Sequence, residues 1–243
     1  MPTFDKRRQK NRHFQKSLSA ERLDGEKMQG IMNISTERSD FMRYYVEKTV
    51  LIDPALDSRE WDRAEVGAVD KNPWKRDDLF PAPKTEFQLL RGPEGLSVRM
   101  HSAESKLRME EAENGGVCRD SCMEFFFKPD PWDVNYFNFE LNPGGYLYLA
   151  IGPMRSPRKL IDVDREIFSI ESDAKEGDWT LKFYIPDSFV LRYFDKIHPV
   201  MRGNFYKCGD DTDHRHYATW AEMETERPDY HLPDFFDKLE IEQ

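Results

Sequence analysis

The sequence contains no apolar run approaching the roughly 18 residues a membrane-spanning helix needs, so no contact with a bilayer interior is expected. It has only three cysteines among 243 residues. A small, odd number excludes a disulfide framework and fits a reducing compartment. It lacks positive net charge: 36 Lys and Arg stand against 46 Asp and Glu, a formal −10. The body of such a protein has no electrostatic means of holding nucleic acid non-specifically. The N-terminal MPTFDKRRQKNRHFQ is basic but no hydrophobic segment follows it, so it does not read as a secretory signal, and the expected location is cytoplasmic. G-x-S-x-G, P-loop, dinucleotide-fingerprint and H-E-x-x-H patterns are all missing, as are internal repeats and low-complexity runs.

Aromatic residues are abundant: 17 Phe, 10 Tyr and 5 Trp. Flat rings pack well on a pleated surface, which favours strands. The densest stretch is Val117 to Ile151, VCRDSCMEFFFKPDPWDVNYFNFELNPGGYLYLAI. It predicts consecutive strands at Ser121–Lys128, Asn135–Asn142 and Gly145–Ile151. In the middle one Tyr136, Asn138 and Glu140 alternate with Phe137, Phe139 and Leu141, the period of a half-buried strand with one wet face. Asn142-Pro143-Gly144-Gly145 predicts a type II turn, with Pro and Gly at its central positions. Glu124 lies inside an apolar run, where a carboxylate faces either a ligand or a costly interior.

Elsewhere the chain predicts short strands at Lys48–Ile52, Thr85–Leu90, Gly95–His101, Glu166–Glu171, Asp178–Ile185, Val200–Cys208, His216–Trp220 and Lys238–Ile241. A single helix is expected over Phe189–Phe194, capped by Asp187 or Ser188. Trp61 and Trp179 read as core anchors. Ser102–Gly116 and the basic Pro153–Lys159 are loops, the first long enough for a binding loop. About ten short strands and one helix make an all-β chain, a jelly-roll-like β-sandwich. Residues 1–45, polar and patternless, form an N-terminal extension, and residues 46–243 form the sandwich.

The segments DSCMEFFF, YFNFELNPGG, GNFYKCGDDTDHRHYATW and PDFFDKLEI, in this order, resemble the family 9 carbohydrate-binding modules, in their bacterial family 9-like branch. The resemblance runs from about Val46 to the C-terminus. It implies non-catalytic binding of a xylan- or cellulose-derived oligosaccharide or polysaccharide fragment on an open sandwich face. In that family a sugar is stacked between two tryptophans, aided by a glutamate and an arginine. The stacking ring supplies the apolar C–H faces of the sugar with a partner and planar polar groups supply its hydroxyls. The glutamate corresponds to Glu124 and one tryptophan to Trp220. The arginine corresponds to about Asn138 and the second tryptophan to about Cys118, and both are departures. Trp74 or Trp132, each in a loop, is expected to supply the missing ring.

Other readings stay open. Glu124 and Glu140, on strands expected to be neighbours, are candidates for a glycoside-processing pair. A protein-interaction module that has lost its sugar site is another. Cys118 and Cys122, with Cys208 in a later strand, are not at a strong zinc spacing, and free cysteines are commonly small buried hydrophobes. No metal centre or cofactor is therefore expected from them. The resemblance allows a structural calcium, for which the Asp210-Asp211-Thr212-Asp213 run is the candidate loop.

Overall fold

The computed structural model describes residues 41–74 and 76–242. Of the extension expected over residues 1–45, residues 1–40 with the basic cluster lie outside the described residues, whereas Arg43, Tyr44 and Tyr45 already belong to the first strand of the sandwich.

Side-chain alternation sets the architecture. In strand Cys122–Lys128, Met123, Phe125 and Phe127 enter the main core, while Cys122 and Phe126 enter a second cluster on the opposite face. Strand Tyr136–Leu141 divides likewise, with Phe137, Phe139 and Leu141 on one side and Tyr136 on the other. In chain order the strands are β1 (Arg43–Lys48), β2 (Gly67–Ala68), β3 (Lys84–Arg91), β4 (Gly95–Ala103), β5 (Cys122–Lys128), β6 (Tyr136–Leu141), β7 (Leu147–Gly152), β8 (Lys159–Leu160), β9 (Glu171–Lys175), β10 (Asp178–Pro186), β11 (Val200–Gly209), β12 (His216–Thr219) and β13 (Asp237–Ile241). One helical turn, α1 (Asp187–Val190), follows β10.

The strands form an all-β sandwich. One sheet runs β8-β7-β6-β5-β11-β13-β1 and the other β1-β3-β4-β10-β9, with β12 paired to β11 and β2 to β3. β1 belongs to both: residues 43–46 pair in parallel with β13, and Glu47 and Lys48 pair with β3. The main core fills the space between the sheets. Phe87 of β3 stacks on Phe205 of β11 at 3.6 Å, and Phe139 of β6 meets Phe183 of β10 at 5.4 Å. Each such ring taken out of water stabilises the fold by about 1.5–3 kcal/mol. Trp61 and Trp179 are buried as expected, Trp61 donating from Nε1 to the Ala55 carbonyl at 2.9 Å.

Several local expectations are corrected. The first strand is Arg43–Lys48, not Lys48–Ile52: Tyr44 and Val46 alternate inward, whereas the unalternating Val50, Leu51 and Ile52 are exposed. Glu166–Glu171 is a 3-10 turn at Arg165–Phe168, capped by Asp164, and the strand begins only at Glu171. The helix starts before Phe189. Asp187 is its first residue and does not cap it, since its carboxylate holds Arg91 in two hydrogen bonds of 2.7 and 2.5 Å. The hairpin after β6 is not type II. Gly145 donates to the Asn142 carbonyl at 2.9 Å, and the left-handed residue is Gly145 itself, φ 71°, not Gly144. This is a type I turn closed by a glycine bulge, which matches the strand twist better. The expected wet face of β6 is also not wet, because Tyr136, Asn138 and Glu140 are all buried.

A candidate carbohydrate site under the loops of one sheet

In a simple two-layer sandwich the outer face of β5, β6, β7 and β11 meets solvent. Here the loop before β5 and the chain after β12 fold over it. Val117, Met223, Tyr230 and Phe236 pack on Phe126, Tyr136 and Tyr206 as a second core. Beside this core a cavity of about 540 Å³ remains, within the usual size of small-molecule sites.

Strand register delivers the polar floor. Tyr148 of β7 stands opposite Glu140 of β6, Glu140 opposite Glu124 of β5, and Glu124 opposite Tyr206 of β11. Directly opposed residues point to the same face, so this rung puts two carboxyls and a tyrosine into the cavity. Asn138, two residues along β6, donates to Glu140 Oε1 at 2.7 Å. Arg158, from the loop between β7 and β8, donates to Asn138 Oδ1 from Nε at 2.9 Å and Nη2 at 2.5 Å. It also donates to the carbonyls of Tyr136, Ala150, Gly152 and Met154 and lies 4.4 Å over the Tyr136 ring. Arg158 thus locks the Asn138 amide, with its own donors already used. Burial lowers its affinity for a proton. Arg155, more exposed, pairs with Asp229 at 2.9 Å on the cavity rim.

Burial raises the pKa of both floor carboxyls. Glu124 is pushed well up, first by desolvation and then by Glu140, and accepts a hydrogen bond from Cys208 Sγ at 2.9 Å. Glu140 is pushed to about 7 by desolvation, opposed by the Asn138 hydrogen bond and Arg158. Two facing carboxyls in a dry floor cannot both carry charge cheaply, so Glu124 keeps its proton and can donate. His231, 2.9 Å from the Tyr136 hydroxyl, is held neutral by burial, its pKa lowered to about 3.

Of the residues expected to bind, Cys118, Glu124 and Asn138 line the cavity. The three tryptophans do not. Trp220 is 3% exposed and lies in the main core, edge-on to Phe87 at 5.3 Å, Phe205 at 6.3 Å and Tyr44 at 6.4 Å. The alternation of β12 turns Ala218 inward with it and leaves Tyr217 facing the cavity. Trp74 is also buried, packed behind Tyr217 at 5.9 Å and Tyr230 at 5.5 Å, with Nε1 donating to Thr225 Oγ1 at 2.8 Å. Trp132 is 69% exposed in the β5–β6 turn, against His198 and beneath Lys196, and does not line the cavity. The rings that do line it are Tyr148, Tyr217 and Tyr230. Sequence reading missed these tyrosines and Arg158. Period two carried from Glu140 through the hairpin would have found Tyr148, and the basic loop at Pro153–Lys159 already contained Arg158.

The carboxylates of the candidate calcium loop are divided between two surroundings. Asp213 pairs with Lys106, Asp210 faces the cavity, and among the described residues these carboxylates form no group of three ligand atoms.

The family model for carbohydrate-binding family 9 matches residues 52–241. The chain belongs to carbohydrate-binding family 9. Solved structures agree with the fold of this family 9 module. A provisionally assigned carbohydrate-binding protein from Bacteroides uniformis superposes with a TM-score of 0.72 at 27% identity, over 84% of this chain and all of that one. A family 9 module from Caldicellulosiruptor kristjanssonii, solved with cellotriose, matches at TM-score 0.57 and 14% identity, over 82% of this chain and 93% of that one. The same description with glucose gives 0.58 and 13%, over 83% and 96%. No curated protein matches the chain.

Proposed function

We propose that this family 9 module holds the end of a short oligosaccharide, or a single sugar, in the cavity over β5, β6 and β7. Tyr148 and Tyr217 would lie against the sugar's C–H faces. Glu140 and Asp210 accept from its hydroxyls, and protonated Glu124 and Arg155 donate. Arg158 acts through Asn138 as a positioning residue. The observation that carries this reading is the cavity itself, in which aromatic walls flank a rung of fixed polar groups. That pairing of apolar face and planar hydrogen-bonding edge is what a pyranose requires. The family neighbours solved with cellotriose and glucose favour a β-glucan-type fragment as ligand.

The test is calorimetric titration with glucose and cellotriose at millimolar concentration. Wild type is expected to release heat. Ring–ligand stacking is worth about 1–3 kcal/mol per ring in the comparable case of bases, so Tyr148→Ala or Tyr217→Ala should weaken binding by roughly five- to a hundred-fold. Trp132→Ala should leave it unchanged. Binding that survives both tyrosine variants but disappears with Trp132→Ala would move the site to the outer surface and end the proposal.

A further inference from the structure

In the floor of the sugar cavity Glu124 meets two buried thiols, Cys122 and Cys208, for which carbohydrate recognition has no use. Cys122 of β5 and Cys208 of β11 are directly opposed in the antiparallel ladder, and Glu124 follows two residues along β5 on the same face. Their two sulfurs and a carboxylate oxygen all lie within 4.8 Å of one another, the one such group of three among the described residues. Cys208 Sγ is 2.9 Å from Glu124 Oε1. Exposures are 0% for Cys122, 1% for Cys208 and 3% for Glu124.

These separations bracket those of a tetrahedral centre. Bonds of about 2.3 Å to sulfur and about 2.0–2.2 Å to carboxylate oxygen put the ligand atoms roughly 3.5–3.8 Å apart. Two thiolates with one carboxylate are a donor set for a thiophilic divalent ion, not for calcium or magnesium, which take oxygen ligands. Three protein ligands leave a tetrahedral ion one position. Cys208 and Glu124 line the cavity, so that position opens into it. We propose that Cys122, Cys208 and Glu124 form a Zn²⁺ site in the cavity floor, with its fourth position open to water or a ligand hydroxyl.

Charge favours occupancy. Two thiolates and a carboxylate in a nearly dry floor are tolerable only with protons or a cation among them, and a divalent ion takes the place of the protons. Cys118 is not a ligand in this arrangement. Its carbonyl lies 3.6 Å from the Cys208 sulfur in the metal-free protein, and its own thiol is not in the group of three. The site needs reduced thiols, as the expected cytoplasmic location would provide. The site shares Glu124 with the carbohydrate reading: with the ion bound Glu124 is an ionised ligand, and its donation to a sugar hydroxyl belongs to the metal-free protein.

The experiment uses tag-free, full-length protein, kept reduced with a non-chelating phosphine and titrated with Co²⁺ and then Zn²⁺. The expected result is one Co²⁺ per chain, a thiolate-to-cobalt charge-transfer band, and loss of that band when Zn²⁺ displaces cobalt. Cys122→Ser and Cys208→Ser should each abolish or halve the band. Glu124→Gln should weaken affinity by at least on the order of tenfold, the scale of lost support at metal sites, and Cys118→Ser should leave stoichiometry and band intact. Absence of a band in the wild type overturns the proposal. So does a band lost in Cys118→Ser but kept in Cys122→Ser. If the buried variants fail to fold, the wild-type titration and Cys118→Ser still decide. Sugar titration of the metal-free protein, read separately, tells failure of this site from failure of the carbohydrate reading.

Discussion

Tyr217 in β12 and Trp220 just past its end lie three positions apart and have opposite fates. Trp220 fills the space between Tyr44, Phe87 and Phe205, so its removal leaves a large cavity. Trp220→Ala should lower unfolding free energy by about 3–5 kcal/mol in urea denaturation, while Trp220→Phe should retain sugar binding at wild-type affinity. Tyr217→Ala should do the reverse: little stability lost and binding impaired. Glu140 carries a pH signature at the same scale. Its folded pKa of about 7 exceeds the ordinary carboxyl value of 4.5, so the native state binds its proton more tightly than the unfolded chain. That contribution is complete below about pH 4.5 and is lost as pH rises through 7. His216 and His231, both lowered to about 3 by burial, act oppositely: their contribution is present above about pH 6.5 and lost on acidification. Thermal melts from pH 5 to 8 should therefore show Glu140→Gln gaining stability relative to wild type toward the alkaline end. A difference that stays constant with pH would refute the assignment.

At the level of elements, the β6–β7 hairpin fixes which side chains reach the cavity. Its bulge places Tyr148 opposite Glu140, and a slip of one residue would turn Tyr148 away and Leu147 or Leu149 outward. Gly145 holds that register through its positive φ of 71°, and a Cβ there would meet Ile170 at 3.5 Å and Arg165 Nη2 at 3.8 Å, both ordinary contacts. Gly145→Ala should thus cost about 1–2 kcal/mol, entirely from backbone strain, with Gly145→Asn closer to wild type. Gly203 of β11 is different. Its backbone is unremarkable, but a Cβ would lie 2.7 Å from the Phe126 carbonyl and 3.0 Å from Leu239. Gly203→Ala should disturb the β5–β11–β13 ladder and reduce cooperativity in the same melts.

Across the whole molecule, β1 is the seam between the sheets. Tyr44 secures it: its hydroxyl donates to the Glu65 carbonyl and accepts from the Leu89 amide at 3.0 Å. Burial also drives its pKa far up, so it stays a phenol. Tyr44→Phe leaves a buried amide and a carbonyl without that partner, and should cost about 1–3 kcal/mol in denaturant unfolding while leaving sugar affinity unaltered. The seam lies in β1, between β13 and β3, and the site on β5, β6, β7, β11 and β12, so stability and binding should separate cleanly in variants.

Local pattern was enough for much of the fold. Period-two alternation in FNFEL and DWTLKFYI located β6 and β10, because a strand's two faces are written in consecutive residues. The ordered motifs placed Glu124, Asn138 and Cys118 at what became one cavity. Alternation does not say what lies across each face. Only the folded chain decided that the polar side of β6 is roofed by loops, that Trp220 points inward and Tyr217 outward, and that Arg158 reaches Asn138. It also brought Cys122 beside Cys208. Those outcomes depend on hydrogen-bond register between strands far apart in sequence and on which loops fill the space above them, and such pairings are set by packing of the assembled sheets rather than by any stretch of residues alone.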